Sequence, residues 1–140
     1  MGCALDAVSR GYNTLLIEQE DFGKGTSSRS TKLIDGGVRY LRQGNISLVR
    51  ESLAERGWLL NRLPHLVRPQ PFLIPTFSFW ETWYYRIGLW IYDRLAGTLR
   101  MHSSKRCNRK QALELVPTLK PNDLSGGIVY WVGEFDDARL

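Results

Sequence analysis

The chain has 140 residues, of which 43% are hydrophobic and 11% are aromatic. This composition excludes an intrinsically disordered protein, because enough apolar surface is available to form a core. The formal net charge of +5 permits an anionic partner such as a phosphate ligand, a membrane surface or a nucleic acid. The two cysteines, Cys3 and Cys107, have no metal-ligand spacing. We therefore expect neither a disulfide scaffold nor a metal site, and we expect a reducing compartment.

The first elements follow the pattern of a helix and then a strand. Apolar residues at helical spacing predict a helix from Cys3 to Arg10, which Gly11 ends. The apolar run that follows predicts a strand from Asn13 to Glu18, and an apolar strand directly after a helix is typical of a buried parallel sheet. The chain is thus expected to open inside a β-α-β unit without its first strand. The segment Gly23–Gly37 is rich in Gly, Ser and Thr and predicts a loop and turn region.

The remaining predicted elements are three helices, an edge strand or extended segment, and a final strand. Asn45 is a candidate N-cap for a helix that continues to Leu63 and is ended by Pro64. Three prolines within Arg68–Phe77 predict an edge strand or an extended segment. The last predicted elements are two helices, Trp80–Leu95 and Asn108–Leu115, and a strand, Gly127–Trp131.

Two segments of the sequence each allow two interpretations. The aromatic segment Phe77–Tyr92 predicts a packed helix in a substrate-side domain or, less often, an interfacial contact with lipid. Four charges between Phe77 and Leu95 argue against a helix that spans a membrane. The basic stretch of residues 100–110 predicts a solvated loop or, again less often, a contact with anionic lipid. No nucleic-acid motif is recognisable, so we expect no nucleic-acid partner.

Three groups of residues are candidates for a site, and each also has an ordinary explanation. Glu18, at the end of its predicted strand, could accept a hydrogen bond from a ribose hydroxyl in a dinucleotide fold, or it is a solvated glutamate. The run Gly25–Lys32 could donate hydrogen bonds to a phosphate, or it is a polar turn with an ordinary cap. In Asp35–Tyr40, paired glycines could let a flat ligand approach, and Arg39 and Tyr40 could bind a phosphate or carboxylate. The ordinary alternative is a glycine turn beside a surface arginine.

Taken together, these motifs are far more specific than any of them alone, because they follow one another in a recognisable order. The strings are Ala4–Ala7, Arg10–Gly11, Glu18, Gly25–Ile34, Gly36–Leu41, Gln43–Asn45, Leu48–Val49, Glu55–Arg56, Pro64–Leu66, Ile87–Leu89, Tyr92–Asp93, Leu95–Gly97, Gly126–Gly127 and Phe135–Leu140. In this order they resemble the FAD-dependent glycerol-3-phosphate dehydrogenases, and the similarity covers essentially the whole chain.

The resemblance implies an α/β fold, namely a Rossmann-like FAD-binding domain of the glucose/amino-acid oxidoreductase type with a mixed substrate-side domain. Residues 1–44 would be part of the FAD-binding domain, and residues 45–140 would supply helical and strand segments of the FAD and substrate side. The implied cofactor is FAD. The residues implied to bind it are Gly2, Glu18, Thr26, Ser27, Ser28, Ser30, Thr31, Lys32, Gly36 and Gly37.

The resemblance also implies an activity. The family oxidises sn-glycerol 3-phosphate to dihydroxyacetone phosphate and passes the electrons to quinone, and Arg39 and Tyr40 would contact the substrate, chiefly at its phosphate. The flavin performs the redox chemistry, while the protein positions the substrate against it. The expected location is cytoplasmic, with peripheral association to the inner membrane.

Two departures from the family pattern bear on activity. Asp35 stands where the family carries a histidine, and an anion there would disfavour a phosphate substrate, so no catalytic residue is assigned. The glycine-rich loop is absent, and Gly2 matches only a glycine beyond it. We therefore expect the isolated chain to be inactive. The alternatives are a related FAD-dependent oxidase of another small substrate and a non-catalytic truncated remnant.

Overall fold

A computed structural model describes residues 1–136 of the chain, so residues 137–140, the end of the last family-like string, lie outside the described residues. The described part contains six α-helices, four β-strands and one short 3-10 helix, Gly97–Leu99. In chain order they are α1 (Gly2–Ser9), α2 (Thr26–Arg29), β1 (Leu33–Ile34), α3 (Val38–Arg42), α4 (Ile46–Arg62), β2 (Val67–Thr76), α5 (Phe79–Ala96), β3 (Lys105–Asn108), α6 (Arg109–Leu115) and β4 (Gly126–Phe135).

The four strands form one antiparallel sheet with β4 at its centre. Strand β2 pairs with β4 along its whole length, from Val67 opposite Phe135 to Thr76 opposite Gly126. Strands β1 and β3 pair with the other edge of β4, near its end and near its start respectively. The first and last strands of the described chain are therefore neighbours, and β1 is held in place by residues that come about 100 positions later.

Strand β2 confirms the prediction of an edge strand. The carbonyl oxygens of Leu66 and Thr76 accept hydrogen bonds from Asp136 and Ser125, at the two ends of β4. The even-numbered residues of β2 therefore direct their backbone groups toward β4, because backbone groups alternate sides along a strand. The prolines of β2 stand at odd-numbered positions 69, 71 and 75, so their missing N–H groups fall on the edge that no described strand occupies.

Three helices begin at the polar residues that local chemistry favours. The side chains of Asn45 and Ser78 each accept a hydrogen bond from a backbone N–H in the first turn, of α4 and of α5. Asn108 and Gln111 form a reciprocal capping box at the start of α6. These caps satisfy N–H groups that a helix cannot satisfy by itself. The structure confirms all three of these predicted helices within a residue or two at each end.

The main core lies between α4, α5 and the sheet. Its buried members include Val49 and Leu53 from α4, Leu89 and Tyr92 from α5, and Ile128 from β4. A second, smaller cluster joins α6 to the sheet. The buried residues of α5 are Thr82, Leu89, Tyr92 and Ala96, so the described structure leaves most of its aromatic residues exposed, contrary to the expectation of a packed aromatic face.

The predicted strand Asn13–Glu18 is wrong, because these residues have no regular secondary structure. Leu15 and Ile17 are 84% and 81% exposed. A strand needs a neighbour to satisfy its backbone groups, and no described segment lies beside this one. The preceding helix is confirmed as α1 and the final strand as β4, which is longer than predicted.

The predicted loop Gly23–Gly37 contains the short helix α2 and the strand β1, and helix α3, which follows it, was not predicted. The basic stretch of residues 100–110 is also more regular than a loop, because it contains β3 and the start of α6. None of the helices within residues 1–136 combines the length and the apolar character needed to cross a bilayer.

Candidate functional site

The turn of residues 35–40, the Asp35–Tyr40 turn, connects β1 to α3 and is the candidate site nearest the core. Gly37 precedes α3 with a φ of +84°, a left-handed conformation that an L-residue adopts only with strain. The backbone N–H of Gly37 donates a hydrogen bond of 3.1 Å to Oδ1 of Asp35. The carboxylate of Asp35 thereby stabilises the turn of which it is part.

Gly36 faces the interior and is buried. A Cβ atom at this position would lie 2.8 Å from Arg56 Nη1 and 2.8 Å from Leu53 Cδ2, and it would overlap the Tyr92 hydroxyl. Such distances are too short for non-bonded atoms, so a side chain at position 36 would displace its neighbours. The close approach that requires glycine here is to the protein's own side chains, whereas the sequence had suggested an approach to a flat ligand.

Arg56 and Tyr92 form the surface on which this turn rests. Their side chains belong to α4 and α5, and the two residues are 2% and 3% exposed. Arg56 Nη1 donates hydrogen bonds of 2.8 Å to the Tyr92 hydroxyl and 3.4 Å to the carbonyl oxygen of Trp131. Its guanidinium carbon also lies 5.5 Å from the centre of the Tyr92 ring, within the range of a cation–π contact.

Sequence reasoning missed the role of Arg56, which entered only as part of a family-like string. The signal available was its position. It lies three residues after Leu53 and seven after Val49, both fully buried, and therefore on the apolar face of α4. A single arginine on such a face indicates a buried cation with a specific partner.

The charges around the turn act on two tyrosines. Burial raises the pKa of Tyr92 above its usual range, while Arg56 lowers it and Asp35 raises it further. Burial also raises the pKa of Tyr130 on β4, where Asp35 adds to the increase and Arg39 opposes it. Asp35, Arg39 and Arg56 therefore lie close enough to these hydroxyls to form one electrostatic cluster with two cations and one carboxylate.

The predicted substrate-binding residues lie at the surface of this cluster. Arg39 is exposed and Tyr40 is 41% exposed, both on the short helix α3. Within residues 1–136, Arg39 makes no salt bridge. The structure thus brings Asp35, Gly36, Gly37 and the two predicted substrate residues together, with Arg39 exposed to solvent.

The other predicted cofactor residues are not assembled with this turn. Gly2 and Glu18 are exposed, and the hydroxyl-rich residues of 26–31 are exposed or half-buried. Several of their described hydrogen bonds are local, for example from the backbone N–H of Gln19 to Glu18 Oε1 at 2.8 Å and from Ser28 Oγ to the carbonyl oxygen of Gly25 at 2.9 Å. The donors and the carboxylate suit a dinucleotide chemically.

Lys32 joins these two parts of the chain. Its φ of +56° is unusual for a residue other than glycine, and its carbonyl oxygen accepts a hydrogen bond from the backbone N–H of Phe135. The packed part of the chain thus begins at Lys32, the last of the residues predicted to line the pyrophosphate. No group of three His, Cys, Asp or Glu side chains in the described part of the chain is arranged to hold a metal ion.

Comparison with known proteins gives a family that agrees with the α/β architecture described above. The model of the family "FAD dependent oxidoreductase" matches residues 1–140. The chain belongs to this family. Its α/β fold class and its relation to an FAD-dependent enzyme, both expected from the sequence, are thereby confirmed.

The similar proteins within the family share one name. The chain is 47% identical over 146 residues to the mitochondrial glycerol-3-phosphate dehydrogenase of Homo sapiens and 49% identical over 140 residues to a glycerol-3-phosphate dehydrogenase of Mycobacterium leprae. Each match covers 99% of this chain but only 20% and 24% of the respective relative. The chain therefore spans about a fifth to a quarter of the length of these curated relatives.

A solved structure supports the same relationship. The chain resembles the glycerol-3-phosphate dehydrogenase of Bacillus halodurans, solved in complex with FAD, with a TM-score of 0.55 and 33% sequence identity. The match covers 99% of this chain and 20% of that one. The backbone of this chain thus follows part of a flavoenzyme that binds its cofactor.

Proposed function

We propose that the protein carrying this chain is an FAD-dependent glycerol-3-phosphate dehydrogenase, which oxidises sn-glycerol 3-phosphate to dihydroxyacetone phosphate. The observation that carries the proposal is the Asp35–Tyr40 turn, which rests on the buried Arg56 and carries Arg39 exposed at the surface. Relatives that are 47% and 49% identical to this chain are named for this activity.

In this proposal the chain binds the substrate through its phosphate. The planar guanidinium of Arg39 donates two parallel hydrogen bonds to phosphate oxygens, and the Tyr40 hydroxyl donates a third. The hydroxyls and amine of residues 26–32 hold the pyrophosphate of FAD, together with Gly2, and Glu18 accepts from its ribose. FAD, when bound, supplies the hydride acceptor that no side chain can replace. The Gly36–Gly37 backbone would pass near its isoalloxazine ring.

Asp35 is the residue of this turn whose role is most specific to this chain. Its carboxylate accepts from Gly37 and lies within electrostatic range of Tyr92 and Tyr130. An anion so close to a phosphate site weakens binding of the substrate. A histidine in its place would remove that charge, so Asp35→His is expected to lower the KM for glycerol 3-phosphate.

The test of the proposal is the substitution Arg39→Met in the complete protein with FAD bound. The KM for glycerol 3-phosphate is expected to rise at least about tenfold, because a charge-assisted bond to phosphate is lost. The matched control is Arg42→Met, since Arg42 is exposed on the same short helix and is not assigned to the substrate. Equal effects of the two substitutions would contradict the assignment of Arg39.

A direct measurement separates this function from the alternatives. Anaerobic addition of glycerol 3-phosphate to the complete protein is expected to bleach the flavin absorbance, whereas glycerol without its phosphate is not. Bleaching by a different small substrate would support a related FAD-dependent oxidase. No bleaching by any substrate in a panel would support a non-catalytic remnant. The isolated chain, with its pyrophosphate residues unassembled, is expected to be inactive and to retain FAD weakly or not at all.

We also propose that the electrons pass to quinone and that the protein contacts a membrane peripherally, from the cytoplasmic side of the inner membrane. The exposed face of α5 supports this part of the proposal. Trp80 is 81% exposed and Trp90 is 57% exposed, and Arg86 and Arg94 stack on Trp83 and Trp90 at 5.0 and 5.1 Å. Tryptophan and arginine together suit the headgroup region of an anionic bilayer.

Vesicle flotation tests the membrane contact. Vesicles with anionic lipid are expected to bind the complete protein more strongly than neutral vesicles, and added salt is expected to weaken the binding. A Trp80→Ser, Trp90→Ser variant is expected to float less than the wild-type protein. Flotation that neither salt nor these substitutions alter would contradict a contact through α5. The division into FAD-side residues 1–44 and substrate-side residues 45–140 stays a prediction.

A further inference from the structure

Arg56 is a buried cation without a carboxylate partner among the residues that the structure describes. Both of its hydrogen-bond acceptors are neutral, and its Nε has no partner within that part of the chain. Burial of a cation in this way costs free energy compared with an apolar residue of similar length. Stabilisation of the core therefore does not account for an arginine at this position.

The location of Arg56 indicates what it does. The backbone of Gly36 rests directly on its guanidinium and on the Tyr92 hydroxyl. Their hydrogen bond of 2.8 Å also links α4 to α5, so both helices contribute to the surface beneath the turn. Arg39 and Tyr40 lie on the exposed continuation of the same turn. A change in the Arg56–Tyr92 pair would therefore move residues that Arg56 itself does not touch.

We propose that Arg56 is a positioning residue, which holds the Asp35–Tyr40 turn in place through Tyr92 and adds its positive charge to that of Arg39 in attracting a phosphate. Asp35 offsets one of the two cations, so the cluster keeps a single net positive charge. The identity of the phosphate ligand rests on the proposed function. The positioning of the turn by Arg56 does not rest on the proposed function, because it is inferred from the packing of Gly36 against Arg56 and Tyr92.

The experiment compares Arg56→Met and Tyr92→Phe with wild type in the complete, FAD-loaded protein. Two quantities are measured: hydrogen exchange of the amides of residues 35–40, and the dissociation constant of inorganic phosphate, determined by competition with glycerol 3-phosphate. Arg56→Met is expected to accelerate exchange in the turn and to weaken phosphate binding by about tenfold, because the turn that carries Arg39 and Tyr40 is held less firmly and one nearby positive charge is removed. Thermal unfolding of the whole protein is expected to change little.

Two further variants separate positioning from a general loss of stability. Arg62→Met, on the same helix but exposed, is the matched control and is expected to leave both quantities unchanged. Arg56→Lys keeps the charge and one donor, so it is expected to restore part of the phosphate affinity. The double variant Arg56→Met, Tyr92→Phe is expected to exchange no faster in the turn than Arg56→Met alone, because both residues act through one hydrogen bond.

The outcomes distinguish this inference from the proposed function. Unchanged exchange of residues 35–40 in Arg56→Met would overturn the inference, and so would an equal effect of Arg62→Met. Faster exchange in the turn of a protein that neither binds nor oxidises glycerol 3-phosphate would uphold the positioning role and reject the proposed function. Faster exchange together with weaker phosphate binding would support both.

Discussion

Residues 32–136 of this chain contain two clusters of buried hydrophobic residues, whereas no residue of 1–31 is buried in the structure. In residues 1–31 Leu15 and Ile17 are 84% and 81% exposed, whereas in residues 32–136 Val49 and Leu53 are 0% and 1% exposed. Both regions contain apolar runs of similar character. The difference shows that an apolar pattern makes a segment able to pack, but that the segment packs only where a partner segment is present.

The same comparison separates the two halves of the candidate site. The predicted pyrophosphate residues before Lys32 and the predicted ribose residue, Glu18, lie in residues 1–31, while the Asp35–Tyr40 turn rests on the core. Contacts with α4 and α5 therefore support the predicted substrate-side turn, whereas the predicted cofactor residues of 1–31 do not take part in the described core.

The largest expected effect tests whether burial alone distinguishes the two regions. Leu53→Ala is expected to lower the free energy of unfolding by about 3 kcal/mol, because it leaves a cavity between α4 and the sheet. Leu15→Ala removes the same atoms from an exposed side chain and is expected to change the free energy of unfolding by less than about 0.5 kcal/mol. Urea denaturation of the chain measures both. A Leu15 variant as unstable as the Leu53 variant would show that the first region is packed after all.

A second prediction concerns the turn itself. Gly36→Ala is expected to destabilise the chain by about 2 kcal/mol, since the new methyl group displaces Tyr92, Arg56 and Leu53. Gly88→Ala, in the middle of α5 with open space around it, is expected to stabilise by about 0.5 to 1 kcal/mol through higher helix propensity. The same denaturation experiment compares them, and effects of the same sign would contradict the packing described for Gly36.

The third prediction is a pH dependence that only the packed region can produce. The pKa of Tyr92 is higher in the folded chain than its usual value of 10.0, so the folded state keeps the proton that the unfolded state releases. Stability from this group is therefore complete below pH 10 and is lost as the pH rises above it, by up to about 1.4 kcal/mol per pH unit. Tyr92→Phe is expected to flatten this decline between pH 10 and 11. An identical slope in both proteins would show that the Tyr92 hydroxyl is accessible to solvent.

The sequence was sufficient where structure is determined locally. Asn45 and Asn108 mark the starts of α4 and α6 because their side chains bond to the next few backbone N–H groups. Three prolines identified β2 as an edge strand for a similarly local reason. The candidate turn was found through Gly36, Gly37 and Arg39, although the steric reason for Gly36 came only from its neighbours in space.

Features that depend on distant residues were missed or wrong. Strand β1 forms because Leu33 and Ile34 pair with Glu134 and Gly133. The sequence around residue 33 does not predict that pairing. The strand predicted at 13–18 has the right composition but no described neighbour. Arg56 is distinguished by its contact with Tyr92, which is 36 residues away in sequence. Such pairings arise from the fold as a whole, so even where a local pattern indicates burial, as it does for Arg56, it does not identify the partner.

The prolines of β2 have a consequence for self-association. Five residues of this strand, at positions 67, 69, 71, 73 and 75, direct their backbone away from β4, and three of them are prolines. A second copy of the chain that tried to extend the sheet at this edge would find acceptors but few donors, and proline rings in its path. Growth of the sheet into a fibril by strand addition is thus blocked at the proline-bearing edge of β2.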